Sequence, residues 1–170
     1  VVSPSSVVVG DDPSDPVEVL VTNDFHDGAL QVSKQVDGDA AAAAPDTFDV
    51  TVACEFPAGV PVPLPDDGAV TLDRDGTPVT LAGIPTGAVC TVTEADAGQT
   101  EVSFAPSDTV TVGDGTTTEV VVTNTYRSGA LVVRKHLEGV GAGVAQGPFV
   151  FGVSCTFLGN QVTDTSVTLT

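Results

Sequence analysis

"VLVTNDFHDGALQVSK" at residues 19–34 returns as "VVVTNTYRSGALVVRK" at residues 120–135. The offset is constant, since 124 − 23, 129 − 28 and 135 − 34 all equal 101. The same offset carries Phe48 onto Phe149 and Cys54 onto Cys155. Five marks on one offset define a tandem repeat. One complete unit then spans residues 27–126. Residues 1–26 read as the C-terminal part of a preceding unit, and residues 127–170 as the N-terminal part of a following one.

Alternating apolar segments in the complete unit predict strands near 28–36, 47–54, 69–73, 78–82, 88–94, 100–104, 108–112 and 118–125, punctuated by "PAGVPVPLPDDG", "LAGIPTGAV" and "VGDGTTT". So many short strands in roughly 100 residues predict an all-β, immunoglobulin-like or prealbumin-like β-sandwich, with units in tandem. "DAAAAAP" has a helix-like composition, but it is short and stops at Pro45, which predicts a loop.

Composition agrees and excludes some partners. Val, Thr, Ala, Gly, Asp and Pro dominate, and Met and Trp are absent. The net charge is −18, from 23 acidic against 5 basic residues dispersed over turns. That argues against nucleic acid or an anionic membrane as partner. No stretch is apolar for long enough to span a bilayer.

Parity separates inside from outside, because successive side chains on a strand face opposite ways. Leu30, Val32, Lys34 and Val36 share a face, as do Phe48, Val50, Val52 and Cys54. Cys90, Val92 and Glu94 form a third set, and Val120, Val122 and Asn124 a fourth. Cys54 can pair with Cys90 inside the unit, closing a separation of 36 residues (90 − 54), and a disulfide implies an oxidising, extracellular setting. The partner of Cys155 would lie beyond residue 170, leaving it unpaired.

A lysine, a glutamate and an asparagine on apolar faces need explaining, since burying an unpaired charge is very costly. In one reading Lys34 snorkels to the sandwich edge and pairs with a carboxylate. In a second, the three form a hydrogen-bonded polar cluster. In the third, burial favours the neutral amine of Lys34 and the neutral acid of Glu94. The amine then attacks the Asn124 carboxamide while Glu94 polarises the carbonyl and shuttles protons, leaving a Lys34–Asn124 amide and ammonia.

The unit resembles the prealbumin-like, collagen-adhesin B-type repeat domains of Gram-positive surface proteins and pilins. It is especially similar to an uncharacterised actinobacterial surface repeat with an added cysteine pair. The marks that carry the resemblance are "GALQVSK" with Lys34, "CTVTE" with Glu94 and "VVVTNTY" with Asn124. It implies Lys34 and Asn124 as an isopeptide-bonded pair and Glu94 as the catalytic helper. Lys135 and Asn23 become the equivalents in the next and previous repeats. One position departs from the pattern: Cys90 stands where the family's "YxVxE" has an aromatic.

The function this predicts is a structural repeat of an extracellular stalk, fibre or pilus-like surface protein whose partners are neighbouring repeats. The alternative is an adhesin-type binding module that recognises a host protein or glycan through loops such as the Pro-rich segment 57–67. Enzymatic turnover and cofactors are not expected. His26 and His136 occupy non-equivalent repeat positions and belong to no recognisable triad or metal-ligand set. "DRDG", with Asp73 and Asp75, lacks the ligand series of a calcium loop and reads as a solvated turn.

Overall fold

The computed structural model describes residues 2–3, 6–12, 14, 16–95, 101–143 and 147–170. Its strands are β1 (Val2–Ser3), β2 (Leu20–Val21), β3 (Asp27–Asp37), β4 (Thr47–Glu55), β5 (Ala69–Asp73), β6 (Val79–Pro85), β7 (Val89–Glu94), β8 (Glu101–Ala105), β9 (Thr109–Thr111), β10 (Thr117–Thr125), β11 (Phe149–Phe157) and β12 (Asn160–Leu169). Two four-stranded sheets, ordered β6-β3-β10-β8 and β5-β4-β7-β9, share one apolar core. Outside them β1 pairs with β2, and β11 with β12.

The alternation read from the sequence is the alternation that is buried. Along β4, Phe48, Val50, Val52 and Cys54 are buried while Thr47, Asp49, Thr51, Ala53 and Glu55 are exposed. Leu30, Val32, Val92, Val120 and Val122 supply the facing sides of the core. β3 and β10 are parallel neighbours, with Lys34 opposite Val122 and Val36 opposite Asn124; every other pairing of the two sheets is antiparallel. The first and last strands of the unit therefore lie side by side and run the same way.

Strands β3–β10 fall where alternation predicts them, within a residue or so at most ends; residue 100 lies outside the described residues. β6 differs, running on to Pro85 through "GIP" instead of stopping near 82. Gly28 pairs with Ile84 and Ala29 with Ala82, so Gly83 is the extra residue of a bulge, and its φ of 74° is one that glycine adopts without penalty. The "DAAAAAP" stretch is a loop with a single 3-10 turn at Ala41–Ala43. The Arg74 guanidinium donates to the Ala41 and Ala44 carbonyls and holds it in place.

A second, smaller apolar cluster closes one end of the sandwich. Ala44, Phe48 and Tyr126 are buried there, with Val36, Ala40 and Phe157 packed against them. Gly38 makes this closure possible: its φ is 97°, and a Cβ would run into the Tyr126 carbonyl oxygen. The Tyr126 amide donates to the Asp37 carbonyl, and the Ala40 amide to the Tyr126 carbonyl.

Candidate functional site

Just inside that closed end, β3, β7 and β10 bring Lys34, Glu94 and Asn124 together. Lys34 Nζ donates to Glu94 Oε2 at 2.8 Å. Asn124 Nδ2 donates to Glu94 Oε1 at 2.7 Å. One carboxylate thus receives both nitrogens, one on each oxygen. The side chains of Lys34 and Glu94 are 0% and 3% exposed, and Asn124 is fully buried. Glu94 reaches across from the opposite sheet, whereas Lys34 and Asn124 project from adjacent strands of the same one.

Depth and geometry exclude the snorkelling reading, because a snorkelling ammonium would be in water. Burial pulls the Lys34 ammonium below the usual lysine range, against the opposing hydrogen bond and charge of Glu94. The Phe48 ring lies under the amine, its centroid 4.2 Å from Nζ. Sequence reasoning noted Phe48 as a repeat mark without giving it a role at the site. The signal was the repeated spacing, since Lys34 and Phe48 recur as Lys135 and Phe149, and in the structure Lys135 Nζ lies 5.6 Å from the Phe149 ring centroid.

The carboxamide is turned differently from the sequence expectation. Its nitrogen faces Glu94, and Asn124 Oδ1 is buried without a hydrogen-bond partner. An ionised carboxylate can only accept, so it selects the amide N–H. Once a proton passes from Nζ to Glu94, a half-turn of the amide would present Oδ1 to the new O–H. Tyr126, two residues on and on the same face, packs beside the amide. Burial raises its phenol above the ordinary value, and the Asn124 side chain opposes that shift.

Cys54 and Cys90 are bonded, directly opposite each other across the β4–β7 ladder. Cys90 lies on the same strand and face as Glu94. Cys155 is a half-buried free thiol on β11. Asn23 is exposed ahead of β3 and is not brought to Lys34. His26 pairs with Asp114 at 3.0 Å and His136 with Glu138 at 3.3 Å, both on the surface. Asp75 accepts from the Thr77 amide. Among the described residues no His, Cys, Asp and Glu side chains gather as a metal site, and no helix is long and apolar enough to cross a membrane.

Solved structures similar to this chain include the pilus-presented adhesin Spy0125, at 20% identity and a TM-score of 0.47 over 60% of this chain and 28% of that one. A single B repeat unit of the collagen-binding surface protein of Staphylococcus aureus matches at 15% identity and a TM-score of 0.43, over 61% and 52%. An adhesin from Mobiluncus mulieris, described as containing intramolecular disulfide, isopeptide and ester cross-links, matches at 23% and 0.40, over 69% and 46%. The chain thus spans about half or less of the length of each. No curated protein matches it by sequence. Residues 30–127, more than half the chain and including Lys34, Cys54, Cys90, Glu94 and Asn124, match the family described as a domain of unknown function, DUF5979, and the chain belongs to that family.

Proposed function

We propose that residues 27–126 are one complete repeat of an extracellular stalk, fibre or pilus-like surface protein, and that the repeat locks itself with an isopeptide bond between Lys34 and Asn124. The observation that carries this reading is the single buried carboxylate of Glu94 holding both the amine and the carboxamide. Glu94 takes a proton from Lys34 Nζ, and the neutral amine attacks Asn124 Cγ. The C–Nδ2 bond breaks as Glu94 passes its proton to Nδ2 and takes the second proton from the attacking nitrogen, and the ammonia that departs carries that proton away as ammonium, returning Glu94 to the carboxylate. Amine plus carboxamide gives amide plus ammonia, with no cofactor and no net redox change. Confinement of both groups on adjacent strands supplies the main rate advantage. The step occurs once per chain, so it is self-processing and not turnover.

A bond between neighbouring parallel strands suits a mechanical part. Tension entering at Asp27 and leaving at Thr125 would pass along β3 to Lys34, across to Asn124 and out. The disulfide stiffens the other sheet and fits an oxidising, extracellular setting. Neighbouring repeats are then the principal partners.

Intact mass under reducing, denaturing conditions tests the proposal. The parent should be lighter than its sequence by one ammonia, and Lys34→Ala and Glu94→Gln chains should not be. After reduction and trypsin, fragments 1–74 and 75–127 should stay joined, with no cleavage after Lys34. A parent whose mass equals its sequence would sink the crosslink and turn attention to the loops as an adhesin-type binding surface.

A further inference from the structure

The crosslink site sits at the end of the sandwich that faces residues 127–170, and part of its cover comes from them. Phe157, the last residue of β11, meets Tyr126 edge-on, with ring centroids 5.9 Å apart and planes at 80°. Leu158, in the β11–β12 turn with a φ of 48°, reaches a cavity of about 300 Å³ that is also lined by Phe48, Glu94 and Tyr126. The connecting chain is clasped as well. The Ser128 amide donates to Asp39 Oδ1 at 2.8 Å and its hydroxyl to Oδ2 of the same carboxylate.

The same joint is laid out at the opposite end of the unit. Subtracting the repeat offset of 101 turns Tyr126 into Phe25 and Phe157 into Phe56. Phe25 and Phe56 line one cavity of about 340 Å³, together with His26 and Thr86. In sequence terms, an aromatic two places after each strand-end asparagine is matched with an aromatic two places after each β4-type cysteine. Side-chain packing at one end and repeat register at the other therefore mark the same pair of positions.

We propose that this aromatic pair is the contact surface between consecutive repeats, and that the hairpin tip of the following repeat is the lid of the crosslink site. The proposal rests on the isopeptide reading for its chemistry. With the tip docked, Leu158 walls the cavity beside Glu94 and Phe157 holds Tyr126 against it, so the Asn124 carboxamide meets only the Lys34 amine. With the tip undocked, water reaches the same carbon and competes. Hydrolysis converts the carboxamide and one water into a carboxylic acid and ammonia, a dead end that leaves Lys34 unbonded. Folding of each repeat would then favour correct crosslinking of the one before it.

Tyr126 is the only tyrosine and the chain has no tryptophan, so intrinsic fluorescence reports on this joint alone. The test uses the whole 170-residue chain made by cell-free synthesis under disulfide-forming conditions and sampled over time by intact mass, as the parent, Phe157→Ser and Phe157→Leu. Acrylamide quenching of Tyr126 is measured on each. Phe157→Ser should be quenched several-fold more readily, should lose ammonia about tenfold more slowly, and should accumulate chains in which Asn124 has been hydrolysed. Phe157→Leu should stay close to the parent. Parent-like quenching in Phe157→Ser would refute the docked joint. Exposed Tyr126 with unchanged kinetics and no hydrolysis would refute the lid. A parent that protects Tyr126 yet loses no ammonia would overturn the crosslink, and the gating with it, while leaving the contact surface standing.

Discussion

The Lys34 amine and the Glu94 carboxylate occupy a setting where each alone would be intolerable. Removing one partner of such a buried pair costs roughly 3–5 kcal/mol, because the other is left uncompensated. That constraint made the site readable, since a chain with two lysines places both at one repeat position and one of them on an apolar face. What the sequence withheld was the orientation of the amide, which depends on which atom of Asn124 the carboxylate accepts from. Tyr126 escaped notice for a related reason: its role comes from packing beside Asn124 and against Phe157 across the end of the sandwich. An Asn124→Ala chain keeps Lys34 as an amine and exposes its titration. Burial lowers its folded-state value, so the unfolded chain binds more protons over the window below the ordinary lysine value of about 10.4. Stability should therefore rise with pH through that window. The denaturant midpoint should climb as pH rises towards the ordinary lysine value of about 10.4, and the climb should vanish when Lys34→Met and Glu94→Gln are added. A flat profile in Asn124→Ala would show that Glu94 fully offsets the burial.

At the level of elements, β7 carries both a disulfide cysteine and the buried carboxylate. Cys90 fastens it to β4, and four residues later Glu94 reaches across to the other sheet. Replacing Cys54 and Cys90 together by alanine should cost roughly 3–4 kcal/mol by the loop-closure estimate for this separation, read from denaturant unfolding. It should also slow the loss of ammonia, because β7 would hold Glu94 less firmly. A cost below about 1 kcal/mol would mean that the β4–β7 ladder fixes these strands unaided. Alternation located strands β3–β10 almost to the residue because one face of each is buried and the other wet, the condition under which a period of two is written plainly. It failed at the end of β6, where "GIP" carries ordinary turn chemistry and only the pairing of Gly28 with Ile84 extends the ladder through a bulge. Strand order was equally out of reach, because nothing local to β3 or β10 says that they run parallel.

For the whole molecule, that parallel pair would decide how an applied force is borne. Pulling on Asp27 and Thr125 drags neighbouring strands in opposite directions along their length, so the ladder from Ala29–Thr117 to Asp37–Thr125 is sheared and not unzipped. With the Lys34–Asn124 bond in place, residues 35–123 lie outside the path of tension. Single-molecule pulling under reducing conditions should show no extension from them in the parent, and a step on the order of 300 Å in Lys34→Ala at 3.3–3.6 Å per extended residue. The same step in both chains would remove the mechanical role. Parallel terminal strands have a further geometric outcome. A chain that enters at one pole of a sandwich and leaves at the other cannot double back, so in the proposed array each unit would add about the length of β3, whose 11 residues span roughly 36 Å. On the proposed function, repeat number would then act as a ruler: gaining or losing a unit by recombination would change the reach of the assembly in fixed increments without altering any one module.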